Sequence, residues 1–362
     1  MAATAIPAKT TVVQHTSPVL SQYVRKFLVK ASFTLFASIL LLVFLSPFGY
    51  MVATGLKNQQ QISNGFLLPM SPIEYEYNGA RYPLYNVPDN ETGAIHQWAL
   101  VTRGREESTF IDPANPEAGE IVWQGRWRTL DPVIRFDPQW GNFIEVWQGL
   151  NFPRVFLNTL VVAVFGMIGT LVSSIAVAYG FARFPIPGKN ILFMILISTI
   201  VLPTFVTLVP TYTFFARIGW TGTWLPLIVP HFFANAYNVF LLRQFFMKIP
   251  REQDEAAMVD GATPLQILVR VIVPQALPVI IAVSINHFVF AWNDYFNPLI
   301  YLLGSPELWP ISVAVQQYNY AFGTKPYLVQ ATSLLALALP VVIFFFAQKA
   351  YMRGVVITGV DK

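Results

Sequence analysis

Uncharged apolar runs of membrane-crossing length constrain this chain more than any other feature. They cover Ala31–Ala53, Val155–Ala182, Asn190–Ala216 and Ile218–Leu242. A fifth follows Pro274, interrupted only by Asp294, and a sixth covers Pro326–Gln348. A helix needs about 20 apolar residues to span a bilayer, so the pattern predicts an all-α polytopic membrane protein with six transmembrane helices. Only 12% of the residues are charged, against about a quarter in a soluble domain. The first run, 23 residues long, exceeds a signal-peptide core and no small-residue cleavage site follows it, so it reads as a retained span. The absence of cysteine excludes disulfides and thiolate metal sites. The histidines, His15, His96, His231 and His287, are scattered, and no metal centre is expected.

Basic residues in short loops mark the cytoplasmic side. They fall in the N-terminal tail (Lys9, Arg25, Lys26, Lys30), after the second run (Arg183, Lys189), after the fourth (Arg243, Lys248, Arg251, Arg270) and in the C-terminal tail (Lys349, Arg353, Lys362). Both termini are therefore expected in the cytoplasm. The predicted organisation is a tail over 1–30, a first transmembrane helix over 31–56, an extracytoplasmic loop over 57–153, and a five-helix core over 154–362 that includes a cytoplasmic segment at 248–278. The loop carries eight basic and twelve acidic residues between Lys57 and Arg154, but loops longer than about 60 residues cross regardless of charge. Patches such as GEIVWQGRWRTLDP predict short strands between turns, hence a small subdomain with some β-structure. Asn90-Glu91-Thr92 reads as a chance match to a glycosylation sequon.

The cytoplasmic segment breaks the apolar pattern with Glu252, Asp254, Glu255 and Asp260. A carboxylate at mid-membrane costs roughly 2.5–3.5 kcal/mol even on the lenient insertion scale, so this piece must leave the bilayer. Two short helices are predicted. Pro250 suits a first helical position, Arg251–Val259 contains good helix formers, and Gly261 supplies a left-handed stop. Thr263-Pro264-Leu265-Gln266 then restarts a helix with a capping box. Pro274 and Pro278 break or kink the chain where it re-enters the membrane. Ala256 and Ala257 offer close approach, and the acids are expected to meet a partner.

Glu255-Ala256-Ala257, three residues, Gly261, nine residues, then Val271-x-Val273-Pro274 resembles the EAA motif of ABC importer permeases. Further blocks are similar to carbohydrate-uptake permeases of the MalG type: Asn158-Thr159-Leu160, Ala178-Tyr179-Gly180-Phe181-Ala182-Arg183-Phe184, Leu242-Arg243-Gln244-Phe245-Phe246, Trp292-Asn293-Asp294 and Asn297-Pro298-Leu299-Ile300. The tail Gly354–Lys362 also resembles that family's C-terminal segment. The insertion, roughly Pro69 to Val133, is longer than most members carry, and the resemblance does not cover it.

The resemblance implies a permease subunit of an importer in the bacterial inner membrane. The acidic segment would be a coupling helix, with Glu255, Ala256, Ala257, Asp260 and Gly261 meeting the ATPase. Partners implied are two ATPase subunits, a second, MalF-like permease and an extracytoplasmic solute-binding protein, with no nucleic acid. The chain lacks a G-x-x-x-x-G-K-[ST] loop; Pro187-Gly188-Lys189 has neither the spacing nor the hydroxyl. ATP and Mg are therefore expected on the partner ATPase, with no cofactor in this chain. A sugar or oligosaccharide, with an α-glucoside as one candidate, is the expected solute. Tyr237, Asn286, Trp292, Asn293 and Asp294 are candidate path residues, since sugars are held by aromatic faces, amides and carboxylates. The rival within transport is a non-sugar solute such as polyamine. An enzyme would need clustered catalytic groups, and a channel would need no coupling segment.

Overall fold

A computed structural model describes residues 18–89, 93–320 and 324–356. The sequon at Asn90 and the last residues of the C-terminal segment lie outside them. By internal contacts the chain divides into Met1–Met51 and Val52–Lys362. Nearly all described residues of the first unit belong to helix α1 (Pro18–Gly55), whose apolar side chains from Phe27 to Tyr50 are largely exposed, as lipid-facing residues are.

In the second unit, strands β1 (Met70–Pro72), β2 (Glu74–Tyr77), β3 (Ala80–Pro88), β4 (Ile95–Thr102), β5 (Glu107–Ile111), β6 (Glu120–Gln124), β7 (Asp131–Pro132) and β8 (Ile134–Phe136) form the insertion. A six-stranded antiparallel sheet runs in the order β2-β3-β4-β5-β6 with β7 on β3, while β1 pairs β8 in a separate two-stranded sheet. Asn78 and Gly79 turn the β2–β3 hairpin at φ of 51° and 77°, the left-handed pair that a two-residue hairpin demands. Val87, Trp98, Leu100, Phe110 and Trp123 make its core. The expected β-structure is thus present, and GEIVWQGRWRTLDP supplies β6 and β7.

The helical part follows. Its longer helices are α2 (Phe152–Arg183), α3 (Lys189–Ser198), α4 (Thr204–Arg217), α5 (Ala236–Phe246), α6 (Arg251–Val259), α7 (Leu277–Asn293) and α8 (Pro326–Val356), with shorter helical turns between them. Four stretches are long and apolar enough to cross a membrane: Gln22–Gly55, Phe152–Arg183, Leu225–Phe246 and Pro326–Gln348. Two bent pairs raise the number to as many as six if each is one span.

The third apolar run does not form one straight helix. Lys189–Val201 meets Phe205–Arg217 at 97°. Pro203 explains the corner: it disfavours helical backbone at Leu202, which is extended (ψ 120°), and it has no N–H for the ladder. The fourth run starts later than Ile218. Its helical part begins at Leu225, breaks at the extended Phe233, and restarts as α5 behind Asn235, whose side chain caps Tyr237 and Asn238. The fifth bends by 82° between Pro264–Gln275 and α7, where Ala276 leaves helical backbone (φ −88°, ψ 4°) and Pro278 has no N–H for the Pro274 carbonyl.

Helix α2 is the central element, packed on α5 and α7, and α7 packs on α8. Lipid gives no hydrophobic drive for helices to associate, so close packing matters, and small residues allow it. A Cβ at Gly169 of α2 would lie 2.6 Å from the Phe232 ring and 3.1 Å from the His231 carbonyl carbon. Asn158 of α2 donates to the carbonyls of Glu307 and Trp309 at 2.8 and 3.0 Å, fixing the loop after α7.

Candidate functional site

The acidic segment folds as two capped helices. Pro250 takes the cap position with extended backbone (ψ 136°), so α6 starts at Arg251, one residue beyond the expected start. Glu252 and Asp254 occupy the first turn, where unpaired N–H groups favour negative charge. At the other end Gly261 has φ +82°. Its N–H donates to Met258 O at 3.0 Å, and the Ala262 N–H donates to Ala257 O at 2.9 Å. This pair of reversed bonds closes a helix only around a left-handed residue. Gln266 N–H donates to Thr263 Oγ1 at 3.3 Å and Thr263 N–H to Gln266 Oε1 at 2.7 Å. That capping box opens the helix Pro264–Ile267.

The pair is anchored from below. Ile267, Leu268 and Ile272 are buried with Tyr179 and Ala182 of α2 and with Leu242 and Phe246 of α5. Arg183, the last residue of α2, places Nε 2.7 Å from Asp254 Oδ2, with side chains only 7% and 8% exposed. Its Nη2 also donates to Ile249 O at 3.0 Å. Asp254 Oδ1 has no hydrogen-bond partner among the described residues. The expectation that every acid here faces a partner is corrected at this position: Asp254 turns inward, because a guanidinium buried at the end of α2 needs a carboxylate beside it. On the far side Gln275 Nε2 donates to Gln253 Oε1 at 2.6 Å.

What remains outward is a mixed surface. Glu252, Glu255, Ala256, Asp260 and Gly261 are exposed, while Ala257 is half-buried against the core. Val259 is 89% and Leu265 68% exposed, and a cleft of about 260 Å³ lies between the end of α2 and α6. Apolar side chains are thus displayed among carboxylates on a turn held by its own backbone bonds.

The candidate path residues are scattered. Tyr237 is exposed on the first turn of α5, and Asn286 and Asn293 are exposed on α7. Asn293 Nδ2 donates to Val289 O of its own helix at 2.8 Å. Trp292 is a packing residue: its Nε1 donates to Ala336 O of α8 at 3.1 Å, and its ring stacks on Phe288 at 5.4 Å. Asp294 follows the end of α7. Its Oδ1 accepts the Asn297 N–H at 3.3 Å and its Oδ2 accepts Asn297 Nδ2 at 2.9 Å, which holds the turn into Phe296–Tyr301. Sequence reasoning missed Arg183 as the anchor of α6. Its position at the end of an apolar run registered as an orientation signal and as part of a family block, with no partner assigned. It also missed the contact between His231 and His287, whose rings lie 4.5 Å apart although the residues are far apart in sequence. No group of three or more potential metal ligands gathers among the described residues.

Fold and site together define a polytopic helical membrane protein with a polar, capped helix pair outside its apolar stretches. Residues 169–356 match the family described as binding-protein-dependent transport system inner membrane component, and the chain belongs to that family. It is 29% identical over 263 residues to the osmoprotective compounds uptake permease protein GgtD of Synechocystis sp., covering 71% of this chain and 86% of the relative. To the arabinooligosaccharides transport system permease protein AraQ of Bacillus subtilis it is 26% identical, covering 67% and 85%. Its fold matches a chain of a bacterial ABC transporter involved in the import of the acidic polysaccharide alginate, at a TM-score of 0.62 and 18% identity, over 90% of this chain and 97% of that one. By family the protein is thus a transport component of the inner membrane.

Proposed function

We propose that the chain is one of two paired permeases of an ATP-driven importer, translocating a sugar or oligosaccharide handed over by an extracytoplasmic binding protein. The observation that carries this reading is the outward surface of α6 and its turn. Glu255, Ala256, Ala257, Asp260 and Gly261 form a rigid, capped knob clamped to the end of α2, suited to seat in a partner outside the bilayer. Closure of two ATPase subunits, which bind the ATP and Mg, would draw this knob toward its counterpart on the second permease. Through Arg183 and the buried contacts of Ile267 and Ile272 that motion would reach α2 and α7 directly. Counting each bent pair as one span gives six crossings, with both termini in the cytoplasm and the β-subdomain outside, where the binding protein docks. A named arabinooligosaccharide carrier among the relatives supports a carbohydrate cargo, and α-glucosides are the first to try. Co-purification with ATPase subunits, followed by uptake in proteoliposomes, tests the reading. Failure of the purified assembly to take up any sugar in an ATP-dependent manner would refute it.

A further inference from the structure

A second cleft lies among the apolar stretches, away from α6. It has a volume of about 220 Å³, below the roughly 300–1,000 Å³ of sites for drug-sized ligands. Space of this size suits one ring. Its polar wall is formed by Asp294 and Asn297, and α4 contributes Thr207 and Thr211. Phe290, more than half exposed, and Phe215 supply aromatic surface.

Two details set these groups apart from ordinary packing. A threonine inside a helix usually bonds back to the carbonyl four residues earlier, as Thr213 does to Val209 O at 2.9 Å. The Thr211 hydroxyl makes no such bond, nor any other side-chain bond among the described residues. Asp294 gives one contact per carboxylate oxygen to Asn297, and an ionised carboxylate has about four acceptor sites. It therefore keeps acceptor capacity for two hydroxyls, in the side-by-side spacing of a vicinal diol. A carboxylate in an apolar stretch, part of whose bonding capacity remains unused, is a functional candidate by default.

We infer that this cleft is a solute subsite within this subunit, holding one neutral sugar ring by hydroxyl bonds to Asp294 and Thr211 with an aromatic face alongside. The inference rests on the importer reading. It assigns to this chain a share in choosing the solute, beyond coupling to the motor. A neutral polyol fits the site better than an anion, because an anionic group would meet the Asp294 charge.

The test reconstitutes the full chain with its partner permease, ATPase subunits and binding protein in proteoliposomes. A panel of labelled maltose, trehalose, sucrose and arabinobiose identifies a transported sugar, and the rate for that sugar is divided by the rate for each of its monodeoxy analogues. Asp294→Asn removes the charge and keeps the acceptor for the Asn297 N–H, while the second contact is kept by turning the Asn297 amide so that its oxygen accepts from the new NH2. Thr211→Val lies on a different helix and touches no cap. For at least one analogue Asp294→Asn is expected to lower the ratio about tenfold or more, the weight of a hydrogen bond to a charged group, and Thr211→Val about threefold to tenfold, the weight of a neutral one. Binding-protein-stimulated ATP hydrolysis should persist in both. A purely structural role slows sugar and analogue alike, so ratios unchanged in both variants would overturn the subsite and leave the importer reading standing. Wild-type uptake of none of the panel would overturn the sugar reading and the subsite with it.

Discussion

Replacing Arg183 by methionine should detach the capped helix pair from the membrane helices. The guanidinium and the Asp254 carboxylate are both more than nine-tenths buried, 2.7 Å apart. In Arg183→Met the carboxylate loses its counter-charge at Oδ2 while Oδ1 already has no partner. Breaking one side of a buried pair costs about 3–5 kcal/mol, and the freed Ile249 carbonyl adds about 1 kcal/mol. The double variant Arg183→Met/Asp254→Leu removes both charges, so it should regain most of the loss, short of the Ile249 term. The chain has no cysteine, so a single cysteine at Val259, which is 89% exposed, can carry a nitroxide label without a background signal. The label should gain mobility and the thermal midpoint in detergent should fall in Arg183→Met, and both should largely return in the double variant. A single variant as ordered and stable as the wild type, or a double variant no better than the single, would refute the clamp.

Gly261→Ala forces a Cβ into left-handed backbone (φ +82°) at about 1–2 kcal/mol, and should weaken coupled transport while leaving expression intact. Gly261→Pro should abolish uptake in proteoliposomes with normal membrane insertion. Thr263→Ala removes half of the capping box and should cost about 1 kcal/mol, read as faster hydrogen exchange at Gln266. Gly169→Leu drives a side chain into Phe232 and the His231 backbone, and overpacking of about 1–3 kcal/mol or more should appear as a lower thermal midpoint in detergent.

Features set by local chemistry were legible in the sequence. Proline, glycine and threonine at fixed offsets placed the stop at Gly261 and the restart at Thr263, and alternating patches around GEIVWQGRWRTLDP announced strands β6 and β7. Apolar runs located the membrane stretches, since backbone polar groups in lipid must be satisfied within the helix. The break in the third run was written at Pro203, yet uniform hydrophobicity on both sides hid it. What stayed illegible depends on long-range contact. Nothing local distinguishes Asp254 from Glu255, and only the arrival of Arg183 from the end of α2 turns one inward and leaves the other exposed. Trp292 likewise reads as a stacking platform until Phe288 and Ala336 close around it, and the cleft beside Asp294 assembles from three separated segments.

In the proposed importer the exposed side of α6 seats in a motor subunit. Single cysteines at Glu255 and at Val259, treated with a short bifunctional reagent in the purified assembly, test it most directly. Each should cross-link to the ATPase subunit, in a way altered by nucleotide and lost in Gly261→Pro. An active assembly that gives no cross-link from either position, with or without ATP, would contradict it.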